Sequence, residues 1–320
     1  MLRNPILIVP GQLDSIFFEI LFKILKKKKF LSPLILICSS DNFKMNAKKF
    51  NFNCNFRLIN SKFNNNNLNN KVFNLIDIKI DINKNKTNQT KYHNQYIKDC
   101  LETAFKILKS KKTNKFLNGP INKKRFLNKK FLGMTELISK RFNKKNIGML
   151  IYNKNLSVSP VTTHLPVKLI AKKISKELVY KKLVLINNFF KKNFKFTPRI
   201  GVLGLNPHCE SILSFNEDEK IIPLAIKLAK KNNILASGPY SADTIFLKQN
   251  RNNFDVILGM YHDQVLTPLK TLYEYDAINI TMGLPFLRVS PDHGPNEKMV
   301  NKNLSNPTSL IKALEFLDKY

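Results

Sequence analysis

Short apolar runs that alternate with helical repeats predict an α/β fold with a largely parallel sheet covered on both faces. Two observations carry that expectation: strand-like runs recur along nearly the whole chain, and helical periodicity fills many of the intervals between them. A third observation is positional. Three of the runs end on a histidine, at Val161-Thr-Thr-His164, Leu205-Asn-Pro-His208 and Gly259-Met-Tyr-His262, the last followed at once by Asp263. Ligand sites in open α/β sheets collect at the carboxyl ends of strands, and imidazole is the commonest protein metal ligand. The chain has 5 histidines, so three in one structural position are a concentration worth explaining. The plain alternative is three unrelated polar strand ends.

In chain order, strands are expected at Ile6 to Val9, Leu34 to Cys38, Lys115 to Leu117, Ile147 to Tyr152, Ser157 to Val161, Arg199 to Gly204, Ile234 to Ala236, Asp255 to Gly259 and Ala277 to Thr281. The N-terminal stretch from Pro5 to Leu25 is apolar enough to resemble a signal or membrane segment. Asp14, Glu19 and Lys23 interrupt it, and no small-residue cleavage site follows. It therefore predicts a strand, a turn at Gly11 and an amphipathic helix from about 14 to 28. The clearest helical face lies in 93–111, where Ile97, Leu101, Ala104, Phe105 and Leu108 recur at three-and-four spacing. Helical patterns also cover 166–192, 217–232, 241–249 and 307–318. Residues 61–72 and 82–92 are rich in Asn and Lys and predict exposed loops or an edge insertion. Gly119-Pro120 and Gly238-Pro239 are turn signals just after strand-like runs.

A chain of 320 residues with 43% apolar content is globular and long enough for two domains. Lys and Arg outnumber Asp and Glu by 54 to 22, a formal charge of +32 that by itself suggests a polyanion partner. The distribution argues otherwise. Lysine is spread along the chain together with asparagine, as in Phe63-Asn-Asn-Asn-Asn-Leu68, which is a composition bias rather than a dedicated surface. Zinc-finger spacing, RNA-recognition aromatics and an arginine-rich arm are all absent, so no specific nucleic acid is expected. Cys38, Cys54, Cys100 and Cys209 contain no Cys-x-x-Cys pair, so neither a disulfide framework nor a cysteine zinc site is indicated. A reducing cytoplasm fits, and no membrane association is expected.

The richest stretch runs from Asp255 to Pro295 and holds Gly259-Met-Tyr-His-Asp263, Lys270, Ala277-Ile-Asn279, Gly283-Leu-Pro-Phe-Leu-Arg288 and Ser290-Pro-Asp-His-Gly294. Ahead of it come Gly119-Pro-Ile-Asn-Lys123, Thr135-Glu136, the first two histidine runs and Gly238-Pro-Tyr-Ser-Ala-Asp243-Thr. In this order the set resembles the 4-hydroxythreonine-4-phosphate dehydrogenases of vitamin B6 synthesis, whose fold is that of isocitrate and isopropylmalate dehydrogenases. The resemblance implies a two-domain α/β/α sandwich. One domain is expected at 1–120 plus 290–320 on the cofactor side, and a second at 121–289 with most metal and substrate residues and the dimer interface.

The resemblance also implies that His164, His208 and His262 bind one divalent metal, with His262 supplied by the other subunit of a homodimer. It implies that Thr135, Lys270, Asn279 and Arg288 hold a phosphorylated substrate. Chemistry agrees. Arg288 offers a planar fork for carboxylate or phosphate, and Lys270 is a compact charge that exchanges a proton when its pKa is lowered; either also reads as a solvated surface cation. Asp243 and Asp263 can orient histidines or take part in proton transfer, while Asp243 reads equally well as a helix N-cap. Asp292, His293 and Gly294 resemble the loop that lies against the adenosine part of NAD or NADP. No Gly-x-Gly-x-x-Gly follows a strand, so the nicotinamide cofactor rests on resemblance. An all-histidine ligand set suits Zn²⁺ or Co²⁺ better than Mg²⁺.

Departures from the family pattern are local. Met134 stands where the family has histidine before Thr135-Glu136, and the glycine-rich N-terminal motif is replaced by Pro10-Gly-Gln-Leu-Asp-Ser-Ile-Phe-Phe-Glu19. Cys209-Glu-Ser-Ile-Leu replaces a glycine-rich stretch, and the C-terminal motif lacks its Ala-Gly end. The expected reaction is oxidation of 4-phosphooxy-L-threonine to the 3-oxo acid, which loses carbon dioxide to give 3-amino-2-oxopropyl phosphate. The alternatives are a sister dehydrogenase of erythronate or threonate phosphate, and a non-catalytic polyanion-binding protein on the same fold.

Overall fold

The computed structural model describes residues 3–70, 72–80, 89–127, 131, 133–212, 215–292 and 294–320. The chain forms two compact units, Met1–Leu132 with Pro285–Tyr320, and Gly133–Leu284. Strands of the first stretch are β1 (Ile6–Val9), β2 (Leu34–Cys38), β3 (Phe56–Leu58), β4 (Phe73–Asp77) and β5 (Lys115–Asn118). The second unit holds β6 (Gly148–Tyr152), β7 (Ser157–Thr162), β8 (Ile200–Leu203), β9 (Ala236–Tyr240), β10 (Val256–Tyr261) and β11 (Ile278–Met282). The C-terminal part of the first unit adds β12 (Leu287–Pro291).

In the first unit the strand order is β3-β4-β2-β1-β5-β12, and every pairing is parallel. Such strands are covered on both faces, which is why β1 and β2 read as unbroken apolar runs and are buried throughout. The phenylalanine excess serves this core: Phe22 stacks on Phe52 at 4.4 Å between centroids and meets Phe43 edge-on at 5.6 Å. In the second unit the order is β11-β6-β7-β10-β8-β9. Here β11, β6 and β7 pair antiparallel, and β7, β10, β8 and β9 pair parallel. Met149, Ile151, Val158, Leu203, Ile257 and Leu269 belong to one core cluster on this sheet.

Several expected elements differ. The pattern over 166–192 divides at Ile174, because Ser175 caps a new helix, Lys176–Phe194, by accepting from the Leu178 amide at 3.2 Å. The pattern over 217–232 divides at Ile221, ahead of Pro223. Of 241–249 only Lys248 and Gln249 are helical, opening the helix Lys248–Arg251, so Asp243 caps no helix; its carboxylate accepts from the Ser241 hydroxyl at 2.6 Å instead. The first amphipathic helix is shorter than expected, Phe17–Leu25. Gly238-Pro239 lies inside β9 rather than after a strand. Within 61–72, Phe63 and Leu68 are buried, so that segment is not simply an exposed loop. Residues 81–88, most of the second Asn- and Lys-rich segment, lie outside the described residues.

Candidate active site

In the second unit β7 and β10 run side by side with Thr162 opposite Tyr261. The Thr162 hydroxyl donates to the Met260 carbonyl at 2.7 Å and ties the two strand ends together. His164 follows β7 into a loop, and His262 opens the helix His262–Tyr273 directly after β10. Their ring centroids stand 5.9 Å apart with planes tilted by 35°. Asp263 Oδ1 lies 2.7 Å from His262 Nδ1. A carboxylate there favours the tautomer with the proton on Nδ1, which leaves Nε2 as the ligand atom.

His208 follows β8, the other parallel neighbour of β10. A buried carboxylate builds its loop: Asp218 accepts from the Leu205 amide at 2.5 Å, the Asn206 amide at 3.1 Å and the Asn206 side chain at 2.7 Å. Gln264 closes the other side, accepting from the Met260 amide and donating to the Gly204 carbonyl, both at 2.7 Å. His208 itself takes a left-handed conformation at φ 55°, and its side chain is 72% exposed. Its Nδ1 is 3.8 Å from Asp243 Oδ2. The Ser241 hydrogen bond holds the Asp243 carboxyl below its ordinary range, with a smaller contribution from His208.

Three of the four expected substrate residues also lie in the second unit. Thr135 and Thr281 bring their hydroxyl oxygens to 3.5 Å. Asn279 and Thr281 are two apart on β11, so they share one face of the sheet. Asn279 Oδ1 is buried with no hydrogen-bond partner among the described residues, the state of an acceptor that waits for a ligand or water. Lys270 is exposed on the helix His262–Tyr273.

Arg288 lies on β12 in the first unit and is 3% exposed. Its Nε donates to Asn118 Oδ1, the last residue of the parallel neighbour β5, at 2.8 Å. Asp292 is fixed through its backbone amide, which donates to the Ser309 hydroxyl at 2.8 Å. Gly294 has open space where a side chain would stand. His293 lies outside the described residues.

The same end of this unit carries a network that sequence reasoning missed. Gly11 turns at φ +89° against the Pro120 carbonyl, where a Cβ would come within 2.4 Å, so only glycine fits. The next residue, Gln12, donates to Glu297 Oε1 at 3.0 Å and accepts from the Asn122 amide at 2.9 Å. The Asn122 side chain also donates to Glu297 Oε1 at 3.0 Å, and Arg125 lies 3.6 Å from it. Those hydrogen bonds, with Arg125 adding charge, hold the Glu297 carboxyl below its ordinary range.

Two imidazoles at the His164–His262 separation, one with a carboxylate on its far nitrogen, have the chemistry of a metal that takes nitrogen donors. Among the described residues no three His, Cys, Asp or Glu side chains converge into a metal-binding group. The pair therefore fits part of an ion's ligand shell, and the rest must come from outside the pair. Thr162, Asp218, Gln264 and Thr281 hold this arrangement and were not singled out from sequence. Asp218 reads there as an ordinary acid in the first turn of a helix, and a threonine at a strand end carries no signal of its partner.

Histidines gathered at the strand ends of a largely parallel α/β fold define the class. The same fold appears in a β-decarboxylating dehydrogenase from Thermococcus kodakarensis, with TM-score 0.50 and 11% identity over 98% of this chain and 84% of that one. The likeness is one of fold, an α/β arrangement with a largely parallel sheet. The chain belongs to the PdxA family: the family model described as pyridoxal phosphate biosynthetic protein PdxA matches residues 30–317. A 4-hydroxythreonine-4-phosphate dehydrogenase from Wigglesworthia glossinidia brevipalpis is 33% identical over 97% of this chain and 94% of its own length. The crystal structure of a 4-hydroxythreonine-4-phosphate dehydrogenase from Klebsiella pneumoniae superimposes with TM-score 0.81 at 22% identity, covering 98% of each chain. Among the described residues no helix is long and apolar enough to cross a membrane.

Proposed function

We propose that this protein oxidises 4-phosphooxy-L-threonine with NAD or NADP, giving a 3-oxo acid that decarboxylates to 3-amino-2-oxopropyl phosphate on the route to pyridoxal phosphate. Family membership supports the reaction. The observation that carries the site is the pairing of His164 with His262 at the ends of two adjacent parallel strands.

His164, His208 and His262 would hold one divalent ion, Zn²⁺ or Co²⁺ in preference to Mg²⁺ given nitrogen donors. When bound, that ion supplies Lewis acidity for the oxidation and the decarboxylation, and the nicotinamide accepts the hydride. Thr135 and Asn279 present a hydroxyl and an amide for the substrate's polar groups. Arg288, buried and oriented by Asn118, would hold the carboxylate or phosphate of the substrate. Lys270 would exchange a proton with the substrate, with Asp243 and Asp263 orienting the histidines beside them. Asp292, His293 and Gly294 would line the cofactor.

One chain brings His164 and His262 together, unlike the expectation that the other subunit supplies His262, so a homodimer with shared sites would complete each one with His208 from the partner subunit. The decisive experiment is a panel of 4-phosphooxy-L-threonine, erythronate phosphate and threonate phosphate with purified protein, following NADH or NADPH formation with Zn²⁺, Co²⁺ and Mg²⁺ in turn. Turnover of 4-phosphooxy-L-threonine above the other two is expected. Preference for a sugar-acid phosphate would replace the substrate assignment, and no turnover of any would overturn the reading.

A further inference from the structure

Glu136 stands beside Thr135 in the sequence motif, yet the reaction as read above gives it no task. It occupies the third position of the helix Met134–Arg141, whose N-cap, Gly133, offers no side chain for capping. An acid in a first helical turn ordinarily faces solvent and complements the helix dipole. Glu136 does not. Its Oε2 is buried and has no hydrogen-bond partner among the described residues.

Gly133 shows what the carboxylate faces. A Cβ built on Gly133 would lie 2.9 Å from Glu136 Oε2, 3.3 Å from His164 Cε1 and 3.7 Å from His164 Nδ1. The carboxylate and the Cε1–Nδ1 edge of the imidazole thus border the same methyl-sized space, which glycine leaves open. On the other side Lys182 donates to the Ile147 carbonyl at 2.5 Å. Burial holds the Lys182 ammonium below its ordinary range, and the Glu136 charge opposes that shift. A buried anion is sustained only with a compensating charge near it, and Lys182 provides one.

We propose that Glu136 is a positioning residue for His164: its carboxylate, charge-balanced by Lys182, holds the imidazole with the proton on Nδ1 and Nε2 directed to the ion. Asp263 already stands 2.7 Å from His262 Nδ1, whereas Glu136 and His164 border the space beside Gly133 with no hydrogen bond between them, so the carboxylate would have to close on the ring as the ion binds. Histidine ligands of metals ordinarily have such a partner, and its loss weakens metal binding by about 10- to 100-fold. This inference rests on the reading of His164 as a metal ligand.

The test is Glu136→Gln, which keeps the shape and removes the charge. Co²⁺ titrations followed by visible absorption would compare its affinity and ligand-field bands with wild type, beside thermal melts of the metal-free proteins. The expected result is Co²⁺ affinity lowered by about 10- to 100-fold with altered bands and little change in the metal-free melt. Glu136→Asp should restore part of the affinity. Gly133→Ala is the second variant: its backbone is extended at φ −166° and tolerates a side chain, and the added methyl would displace the Glu136 carboxylate while pressing on the His164 ring. It should weaken Co²⁺ in the same direction. Wild-type affinity and bands in Glu136→Gln would overturn the positioning role and leave the metal reading standing. A wild-type protein that binds no Co²⁺ while its melt is cooperative would overturn both.

Discussion

Arg288 Nε donates to Asn118 Oδ1 at 2.8 Å, and each residue is 3% exposed. Two parallel strands of the first unit thus lock a guanidinium into one orientation before any ligand arrives. Preorganisation of this kind reduces the ordering cost of binding. Arg288→Lys keeps the charge and loses the fork, so KM for the phosphorylated substrate should rise by roughly tenfold or more, the equivalent of a lost charge-assisted hydrogen bond of about 1.5 to 3 kcal/mol. Asn118→Ala should raise KM less, because the guanidinium is present but no longer aimed. Steady-state kinetics of the two variants would decide. Equal and unchanged KM values would remove Arg288 from the substrate site.

His164 and His262 from one chain form a pair, and the reading of the ligand set requires His208 as well. If the third ligand, His208, crosses a subunit interface, inactive His208→Ala and inactive His164→Ala homodimers should regain activity when mixed, because one site in each heterodimer recovers the full set. Subunit exchange is followed by mass spectrometry. Verified exchange with no recovered activity would rule out a shared site.

Asp218 accepts three hydrogen bonds from Leu205 and Asn206 while only 2% exposed. Asp218→Asn removes the charge and turns one acceptor into a donor that faces another donor. The cost should be about 1 to 3 kcal/mol in a denaturant titration. Because the same bonds set the loop before His208, divalent-metal affinity should fall too. Lost stability with intact metal affinity would show that the loop is only structural.

The sequence made the apolar strands legible because parallel strands covered on both faces advertise themselves. Strands β3, β4 and β12 were not legible, since polar residues interrupt them. Asn74 in β4 is fully buried, yet it bonds to Arg57 and to the Leu34 carbonyl, and Arg288 in β12 is matched by Asn118. A polar side chain whose partner lies far along the chain looks like a loop residue until the fold is known. The histidine runs were legible as strand ends, and the separations were not. Asp218, Gln264 and Thr162 act through contacts 12 to 98 positions away, which no local pattern encodes.

Glu297 offers a pH signature. Its folded pKa lies below the ordinary carboxylate value because Asn122 and Gln12 donate to it and Arg125 stands near. A depressed folded pKa gives stability that is present above the unfolded value, about 4.3 for Glu, and is lost as pH falls through the folded one. The advantage of wild type over Glu297→Gln should therefore be constant near neutrality and shrink as pH drops below about 4 to 5. Thermal melts across that range measure it. A difference independent of pH would mean that the glutamine keeps the network's hydrogen bonds and the charge contributes nothing.

Met134 is the departure from the family pattern nearest to the expected substrate residues, and it is 7% exposed at the first position of the helix that carries Thr135 and Glu136. A thioether neither donates a hydrogen bond nor carries charge, so whatever a histidine contributes there is missing. The remaining donors, Thr135 and the amides of the first helical turn, must then hold the phosphate end. Restoring a charge-assisted hydrogen bond is worth about 1.5 to 3 kcal/mol. At about 1.4 kcal/mol per decade, Met134→His should lower KM for 4-phosphooxy-L-threonine by roughly tenfold or more. The gain belongs in KM, because the contact forms in the ground state as fully as in the transition state. Burial sets a second requirement: an imidazole at a site closed to solvent needs a partner, so the thermal midpoint of the ligand-free variant should fall and recover when substrate is added. Kinetics and melts of the two proteins side by side test both. An unchanged or raised KM, with the midpoint indifferent to substrate, would detach Met134 from the phosphate and point to a substrate whose recognition this position has been altered to fit.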